Sequence, residues 1–353
     1  MCAAALVALA GCGTDGAPED STPTVTSAAG DAAPTAAGDA APSARMYHSL
    51  VSDGDRLYVF GGLERHGWQG GLDDVWAFST SDQSWESLGP SEPSDVGDPA
   101  FDAESGRFVM LAADGETWAY DPVARDWEQR NPVTSPSSRC GERTVYDAES
   151  DRVVLFGGFA CTSSSDPGLD DTWTYDYNAD TWEQQTPDSS PPGRMFHDMV
   201  YDEAADRTVL WGGRVEDVRV WLYDVDGGTW TSQPRRGGPE QMRAYHAMSY
   251  DPDSDRVLVF GGLELSHPLG LSGDLMGDLW AYDAADDRWT EVSTEPAPEP
   301  RSLHRLTFDP STGSHVVFGG EIGEAYSDNP TDEVWVFDPS EDAWSGPVGA
   351  GTG

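Results

Sequence analysis

Five arginines and four histidines recur at a fixed spacing along this chain of 353 residues. They are the side chains whose pattern could do chemistry. Arg45, Arg139, Arg194, Arg243 and Arg301 each open a segment, and His48, His197, His246 and His304 follow four of them by three positions. A ring of guanidinium groups could receive a carboxylate or another anion through paired hydrogen bonds. The competing reading is architectural: each Arg bonds backbone carbonyls of a neighbouring unit and holds the molecule together. Recurrence in nearly every segment favours architecture. Four histidines on one rim could bind a metal, but equivalent positions of a symmetric ring lie too far apart to share one ion. No metal, cofactor or catalytic residue is assigned. There is no Gly-x-Ser-x-Gly, phosphate loop, His-Glu-x-x-His or dinucleotide fingerprint.

The elements that must position these residues are set by tryptophan. Six pairs lie nine residues apart: Trp76/Trp85, Trp118/Trp127, Trp173/Trp182, Trp221/Trp230, Trp280/Trp289 and Trp335/Trp344. Phe78, Tyr120, Tyr175, Tyr223, Tyr282 and Phe337 stand two positions after the first Trp of each pair. A pattern told six times at intervals of about 50 residues means a repeat architecture. In four repeats the Arg is followed seventeen residues later by an aromatic and Gly-Gly, as in Arg243 with Phe260-Gly261-Gly262; Arg45 has Phe60-Gly61-Gly62 two residues closer. Runs such as RVLVF and RVVLF have strand character. DPDSD-type clusters turn the chain before them, and Gly-Gly ends a strand at a turn or close approach. Each repeat therefore reads as four antiparallel strands.

The Arg-x-x-His start, the Gly-Gly strand end and the paired tryptophans resemble the kelch repeat over residues 45–344. That resemblance implies an all-β, six-bladed β-propeller, monomeric, with blades at about 44–90, 91–133, 134–188, 189–235, 236–295 and 296–347. The first repeat begins at its first strand and the sixth completes its fourth, so closure without a shared strand is expected. The second repeat is degenerate. Ser94 and Gly97 replace Arg and His, and Ala112-Ala113 replace Gly-Gly. Arg45-Met46-Tyr47-His48-Ser49 is also similar to a copper-ligating stretch of galactose-oxidase-like enzymes, in which Tyr47 and His48 would be ligands. Some secreted kelch propellers resemble sugar-acid epimerases.

Other residues bear on place and partner. Residues 3–10 are a short apolar run, too short to span a bilayer, and Leu9-Ala10-Gly11-Cys12 looks like a bacterial lipobox. Residues 1–11 read as a signal peptide. Cys12 reads as the lipidation site, and the region through 43 as a tether of Ala, Gly, Pro and Asp. Its 31 residues after Cys12 reach at most about 100 Å, and about 30 Å as a coil. A tail follows at 348–353. This implies export to the cell membrane or surface with a lipid anchor. Cys140 and Cys161 should face one another across the first hairpin of the third repeat and form a disulfide.

The formal charge is -43, with 63 acidic and 20 basic residues. It argues against nucleic acid as a partner. None of the basic residues is lysine. The Arg-x-x-His segments and the loops after Gly-Gly share one face, and those loops vary while the opposite turns do not. Variable loops on a constant scaffold are where binding usually lives. The leading expectation is a protein- or glycan-binding module using the five arginines and Trp68, an unregistered aromatic in the first such loop. The alternative is a carbohydrate-active enzyme on the same face. The fifth loop carries Leu263, Leu265, Leu269, Leu271, Leu275 and Met276. It could cap the domain or offer a partner surface. Acidic residues before the third strands (Asp73-Asp74, Asp170-Asp171, Asp278, Asp332-Glu333) read as turn and cap residues.

Overall fold

The computed structural model describes residues 41–67, 71–93, 96–161, 168–234, 236–267 and 273–348. Among the described residues six antiparallel blades of four main strands follow one another along the chain, with a separate two-stranded pair, Arg301–Ser302 with Glu321–Ile322, beside the sixth. Blade one is Ser49–Ser52, Leu57–Phe60, Asp74–Ser79 and Ser84–Pro90. Blade six is Arg305–Asp309, Ser314–Phe318, Val334–Asp338 and Ala343–Val348. These two blades share no strand. They close the propeller by packing: Leu50, Leu57, Val59 and Phe78 of blade one form one buried cluster with Val316, Phe318 and Val334 of blade six.

The aromatic repeat explains how the blades stack. The aromatic two residues after the first Trp lies directly across the strand pair from the second Trp, as Tyr175 opposite Trp182 and Tyr282 opposite Trp289. Their ring centroids are 4.9 Å apart in both cases. That second Trp then reaches the aromatic that precedes Gly-Gly in the blade before. Trp344 meets Phe260 at 5.1 Å, Trp289 meets Trp211 at 5.2 Å, and Trp85 closes the circle on Phe318 at 5.0 Å. A blade's own faces are thus buried only by its neighbours.

Gly-Gly is required by both its conformation and its neighbours. All ten glycines of the five pairs have positive φ, from 55° at Gly61 to 110° at Gly62, a region other residues avoid. A Cβ on Gly261 would come within 2.8 Å of the His304 ring of the next blade, and one on Gly262 within 2.8 Å of its own blade's His246. The pair is therefore the seat of two histidines.

Blade five departs from the expectation that Gly-Gly ends a strand. Its second strand runs from Arg256 through Gly261-Gly262 to Leu265, pairing an added strand, Met242–Ala244, and the long Leu275–Asp283. Burial drives the extension. Leu263 and Leu265 pack with Met46, Tyr245 and Leu303, so this part of the loop caps the domain. Leu269 and Leu271 lie outside the described residues. The Cys140–Cys161 disulfide is present, with Cα atoms 5.4 Å apart. Cys140 pairs with Phe159 in an isolated bridge beside it.

Candidate functional site

The five arginines are buried and fully engaged. Arg45, Arg194 and Arg301 have no exposed surface, and Arg139 and Arg243 almost none. Each gives an Nη1 hydrogen bond to the carbonyl of the first glycine in its own blade, as Arg139 to Gly157 at 3.0 Å and Arg194 to Gly212 at 3.0 Å. The architectural reading named the neighbouring blade; the carbonyl belongs to the same one. Each also grips a carboxylate near the start of the third strand. Arg45 holds Asp74 at 2.6 and 2.9 Å, Arg139 holds Asp171, Arg243 holds Asp278, Arg194 holds Asp217 and Arg301 holds Glu333.

From the sequence, Asp74, Asp171, Asp278 and Glu333 read as turn and cap residues, while Asp217 is not among those the sequence singles out. Instead all five join the arginine to the first tryptophan of the blade. The Trp76 and Trp280 indoles donate to Asp74 and Asp278 at 2.7 and 2.6 Å, and Trp173, Trp221 and Trp335 do the same. Burial alone would raise the Asp74, Asp171 and Asp278 carboxyls. The hydrogen bonds and charge of their arginines, with the indole N–H, hold them below the ordinary range. Blade two lacks the Arg, and the Trp118 indole has no partner there.

The histidines are equally internal. His48, His197, His246 and His304 have no exposed surface. Each ring packs on the aromatic before Gly-Gly of the preceding blade, as His246 on Trp211 at 4.9 Å and His304 on Phe260 at 5.2 Å. Burial, then nearby arginines, push their pKa values well below the usual imidazole range. Tyr47 and His48 occupy the same two positions as Phe196-His197 and Tyr245-His246, so that pair belongs to the repeat. Among the described residues no three metal-ligating side chains come together. Trp68 and Cys12 lie outside the described residues.

The channel mouth is closed differently. Tyr47, Phe196, Tyr245 and Leu303 all have φ near +60°. Their N–H groups donate around the ring: Tyr47 to Leu303, Leu303 to Tyr245, Tyr245 to Phe196 and Phe196 to Gly141, at 2.9 to 3.1 Å. The rings meet over the axis, with Phe196 and Tyr245 4.5 Å apart and Tyr47 within 6.3 Å of both. Val96, the blade-two residue at this position, takes no part in the chain of bonds.

Below it, where the ring is broken, lies a cavity of about 180 Å³. Gly97 and Asp98 of blade two and Glu142 and Arg143 of blade three line it, with Ala113, Tyr47, Phe196, Tyr245 and Arg305. Gly97 is needed where it is, because a Cβ there would fall 1.9 Å from the Leu111 carbonyl oxygen. One position further in, charged residues span the channel. Arg305 of blade six reaches Asp98 of blade two at 3.5 Å, Arg143 lies 3.7 Å from Asp98, and Arg143 bonds Asp198 of blade four at 3.0 Å. Backbone N–H groups fix the two aspartates: Thr144 donates to Asp98 at 3.0 Å and Met248 to Asp198 at 2.8 Å.

Glu142 stands at the position that holds His in four other blades. It is 4% exposed, and its Oε2 has no hydrogen-bond partner. Burial chiefly, and Asp98 in addition, raise its carboxyl to about 7; its own backbone N–H, Arg139 and Arg143 oppose this. Burial, with Arg143 adding, lowers the Arg305 guanidinium to about 10.

Sequence reasoning found the scaffold and missed Asp98, Glu142, Arg143 and Arg305. The signal was available as what differs between aligned repeats. Three residues after each Arg position stand His48, Gly97, Glu142, His197, His246 and His304. The next residues are Ser49, Asp98, Arg143, Asp198, Ala247 and Arg305. The constant positions are architecture; of the varying ones, Ser49, Gly97, Asp98, Glu142, Arg143 and Arg305 line the cavity.

Comparison with known proteins bears on the fold. The profile of the KLHDC2/KLHL20/DRC7 Kelch-repeats domain matches residues 150–352, and that of the Attractin/LZTR1 beta-propeller matches residues 29–218. The dynein alpha chain of the flagellar outer arm from Chlamydomonas reinhardtii is 26% identical over 222 residues, 58% of this chain and 5% of that protein. Mei4-dependent protein 6 of Schizosaccharomyces pombe is 24% identical over 209 residues, 52% of this chain and 28% of that protein. The chain therefore spans only a small part of these relatives.

Proposed function

This chain belongs to the kelch-repeat β-propeller family, and on that premise we propose that it is a binding module that docks a protein partner on the face carrying the channel mouth. One observation carries the reading. The substitutions Gly97, Ala113 and Glu142, which break the repeat, all line a single cavity beneath that face, while the buried arginines, histidines and tryptophans elsewhere are spent on holding blades together. The opposite face is built from near-identical tight turns, with Asp151, Asp206 and Asp255 at one position and φ of 51° to 54°. A uniform face has little with which to discriminate partners.

The test is affinity capture with the full chain and two charge-reversal variants. Glu64→Arg with Glu324→Arg alters exposed loops of the mouth face, and Asp253→Arg with Asp286→Arg alters exposed turns of the other. The first pair should abolish capture of a partner that the wild type and the second pair retain. Loss confined to the second pair would sink the proposal.

We further propose that the propeller is carried outside the cytoplasm on a lipid attached to Cys12. Support comes from the lipobox-like Leu9-Ala10-Gly11-Cys12, the tether composition of residues 13–43, and the Cys140–Cys161 disulfide, which suits an oxidising compartment. Metabolic labelling with a palmitate analogue should mark the wild type and not Cys12→Ser. Label surviving in that variant would remove the anchor.

A second reading, turnover of a small carbohydrate, rests on Glu142, whose carboxyl is tuned to about 7, a value suited to proton transfer. It requires a sugar or sugar acid that the wild type converts and Glu142→Gln does not.

A further inference from the structure

We propose that the cavity between blades one, two and three is a site for an alkylammonium group, with Glu142 as its counter-charge and the aromatic residues of the channel mouth as its walls. The inference deepens the reading of a protein-docking face and rests on it for one of the two possible sources of the ammonium, a lysine side chain.

The argument begins with charge. Four residues cross the channel floor: Asp98, Arg143, Asp198 and Arg305. Two arginines and two aspartates sum to zero, and backbone N–H groups already hold both aspartates. Glu142 is the charge left over. Its Oε2 is buried without a hydrogen-bond partner, a state that costs free energy unless something fills the place. Ionised, it leaves one negative charge in a cavity that contains no free cation of its own among the described residues. An anion would meet that charge unfavourably, and a neutral ligand would leave it uncompensated.

Shape and surface agree. Tyr47, Phe196 and Tyr245 line the same cavity, and aromatic faces attract ammonium groups. Leu63, Leu72 and Val96 line it too, which suits an alkyl stem behind the charged head. A single unpartnered oxygen matches a compact ammonium better than a planar guanidinium, which asks for a paired acceptor. The field of a chain carrying a formal -43 draws cations toward it. The chain has no lysine, so a second copy cannot supply such a side chain. The lysine would come from a different, basic partner, or the ammonium from a free small amine.

The test uses n-butylammonium as the probe and n-butanol as its uncharged counterpart, titrated calorimetrically into the full chain at pH 8. The cation should bind and the alcohol should not. Glu142→Gln, which keeps the shape and removes the charge, should weaken n-butylammonium at least tenfold. If that variant does not fold, the wild type alone still decides. Affinity should fall about thirtyfold from pH 8 to pH 5.5 as Glu142 takes up its proton. The charged groups that act on Glu142 are Arg139, held by Asp171, Arg143 and Arg305, and Asp98, which is ion-paired with both Arg143 and Arg305.

Equal affinity for amine and alcohol, a flat pH profile, or unchanged binding in a folded Glu142→Gln would each overturn the proposal. So would galactose binding that the same variant leaves intact while n-butylammonium fails. The source is read from acetyl-Gly-Lys-Gly-amide beside its norleucine analogue. Binding of the lysine peptide alone assigns the site to a partner's side chain. Binding of n-butylammonium without either peptide assigns it to a free amine. Failure of n-butylammonium, with partner capture still sensitive to the mouth-face charges, removes this inference and leaves the docking reading intact.

Discussion

Blades four to six and blades two and three are built from one pattern and use it to different ends. In the first arc every part is present. Phe260 is held between the His304 ring and Trp344, Arg301 is bonded to Gly319 and Glu333, and Leu303 donates to Tyr245 across the mouth. In the second arc Leu111 stands for the aromatic, Gly97 and Glu142 stand for the histidines, and the ring of backbone bonds stops at Gly141. Complete repeats fill the space between blades. Incomplete ones leave a cavity with a lone carboxyl in it. The ring nitrogens of the buried histidines also lack hydrogen-bond partners, but those rings are neutral and packed on aromatic neighbours; a buried carboxyl without a partner, beside an open cavity, is the candidate for function.

The largest expected effect tests the filled arc through pH. His48, His197, His246 and His304 are buried neutral, and His315 is lowered to about 4. As pH falls below the unfolded-state value of about 6.5, the unfolded chain takes protons that the folded chain refuses. Each histidine then costs about 1.4 kcal/mol of stability per pH unit. Glu142 has the opposite sign. Its folded carboxyl, raised to about 7, takes its proton first and returns one such share as pH falls from about 7 to 4.5. Stability should therefore drop by several kcal/mol per unit between pH 6 and 5, seen as a steep fall in Tm. A flat Tm there would mean that the histidines titrate normally.

Next in size is Phe260→Ala. It removes a ring packed on His304 and Trp344, and should cost about 3–5 kcal/mol in chemical denaturation. Leu111→Ala, at the matching position of the incomplete arc, should cost about 2–5 kcal/mol, toward the lower end if the cavity beside it already forgoes contacts. A larger loss at Leu111 than at Phe260 would erase the distinction. Replacing both Cys140 and Cys161 by Ser should cost about 3 kcal/mol for a loop of this length, and a reducing agent should reproduce the loss in the wild type. The disulfide ties the edge of the incomplete arc, where Cys140 also lines the cavity.

How much was legible in the sequence follows the same division. Six Trp pairs, their aromatic partners and Gly-Gly gave six blades, the strand order, closure without a shared strand, and the disulfide. The blades, strand order and closure rest on residues that repeat; the disulfide rests on the hairpin those repeats set, which brings the unrepeated Cys140 and Cys161 together. The arginine ring was legible as a ring, but its partner was not. Asp74 and Asp278 look like turn residues until the fold brings them, two positions before a tryptophan, against an arginine some thirty residues away. The extension of blade five past Gly261-Gly262 was hidden because Leu263 and Leu265 find their burial partners, Met46 and Leu303, in other blades. The candidate site was the least legible part. Asp98 and Glu142 acquire meaning only when blades two and three stand side by side and Arg305 reaches across from blade six.

The most direct test of the division between scaffold and site is a pair of unfolding free energies at pH 7.5, for Arg243→Met and Glu142→Gln. Arg243 is buried and gripped by Asp278, and removing one partner of such a pair costs about 3–5 kcal/mol. Glu142 has a buried oxygen without a partner, and its carboxyl is raised to about 7, so replacing it by the neutral Gln should leave stability at pH 7.5 unchanged or raise it. A Glu142→Gln protein destabilised as much as Arg243→Met would show that Glu142 is one more structural member of the ring, and would contradict the account.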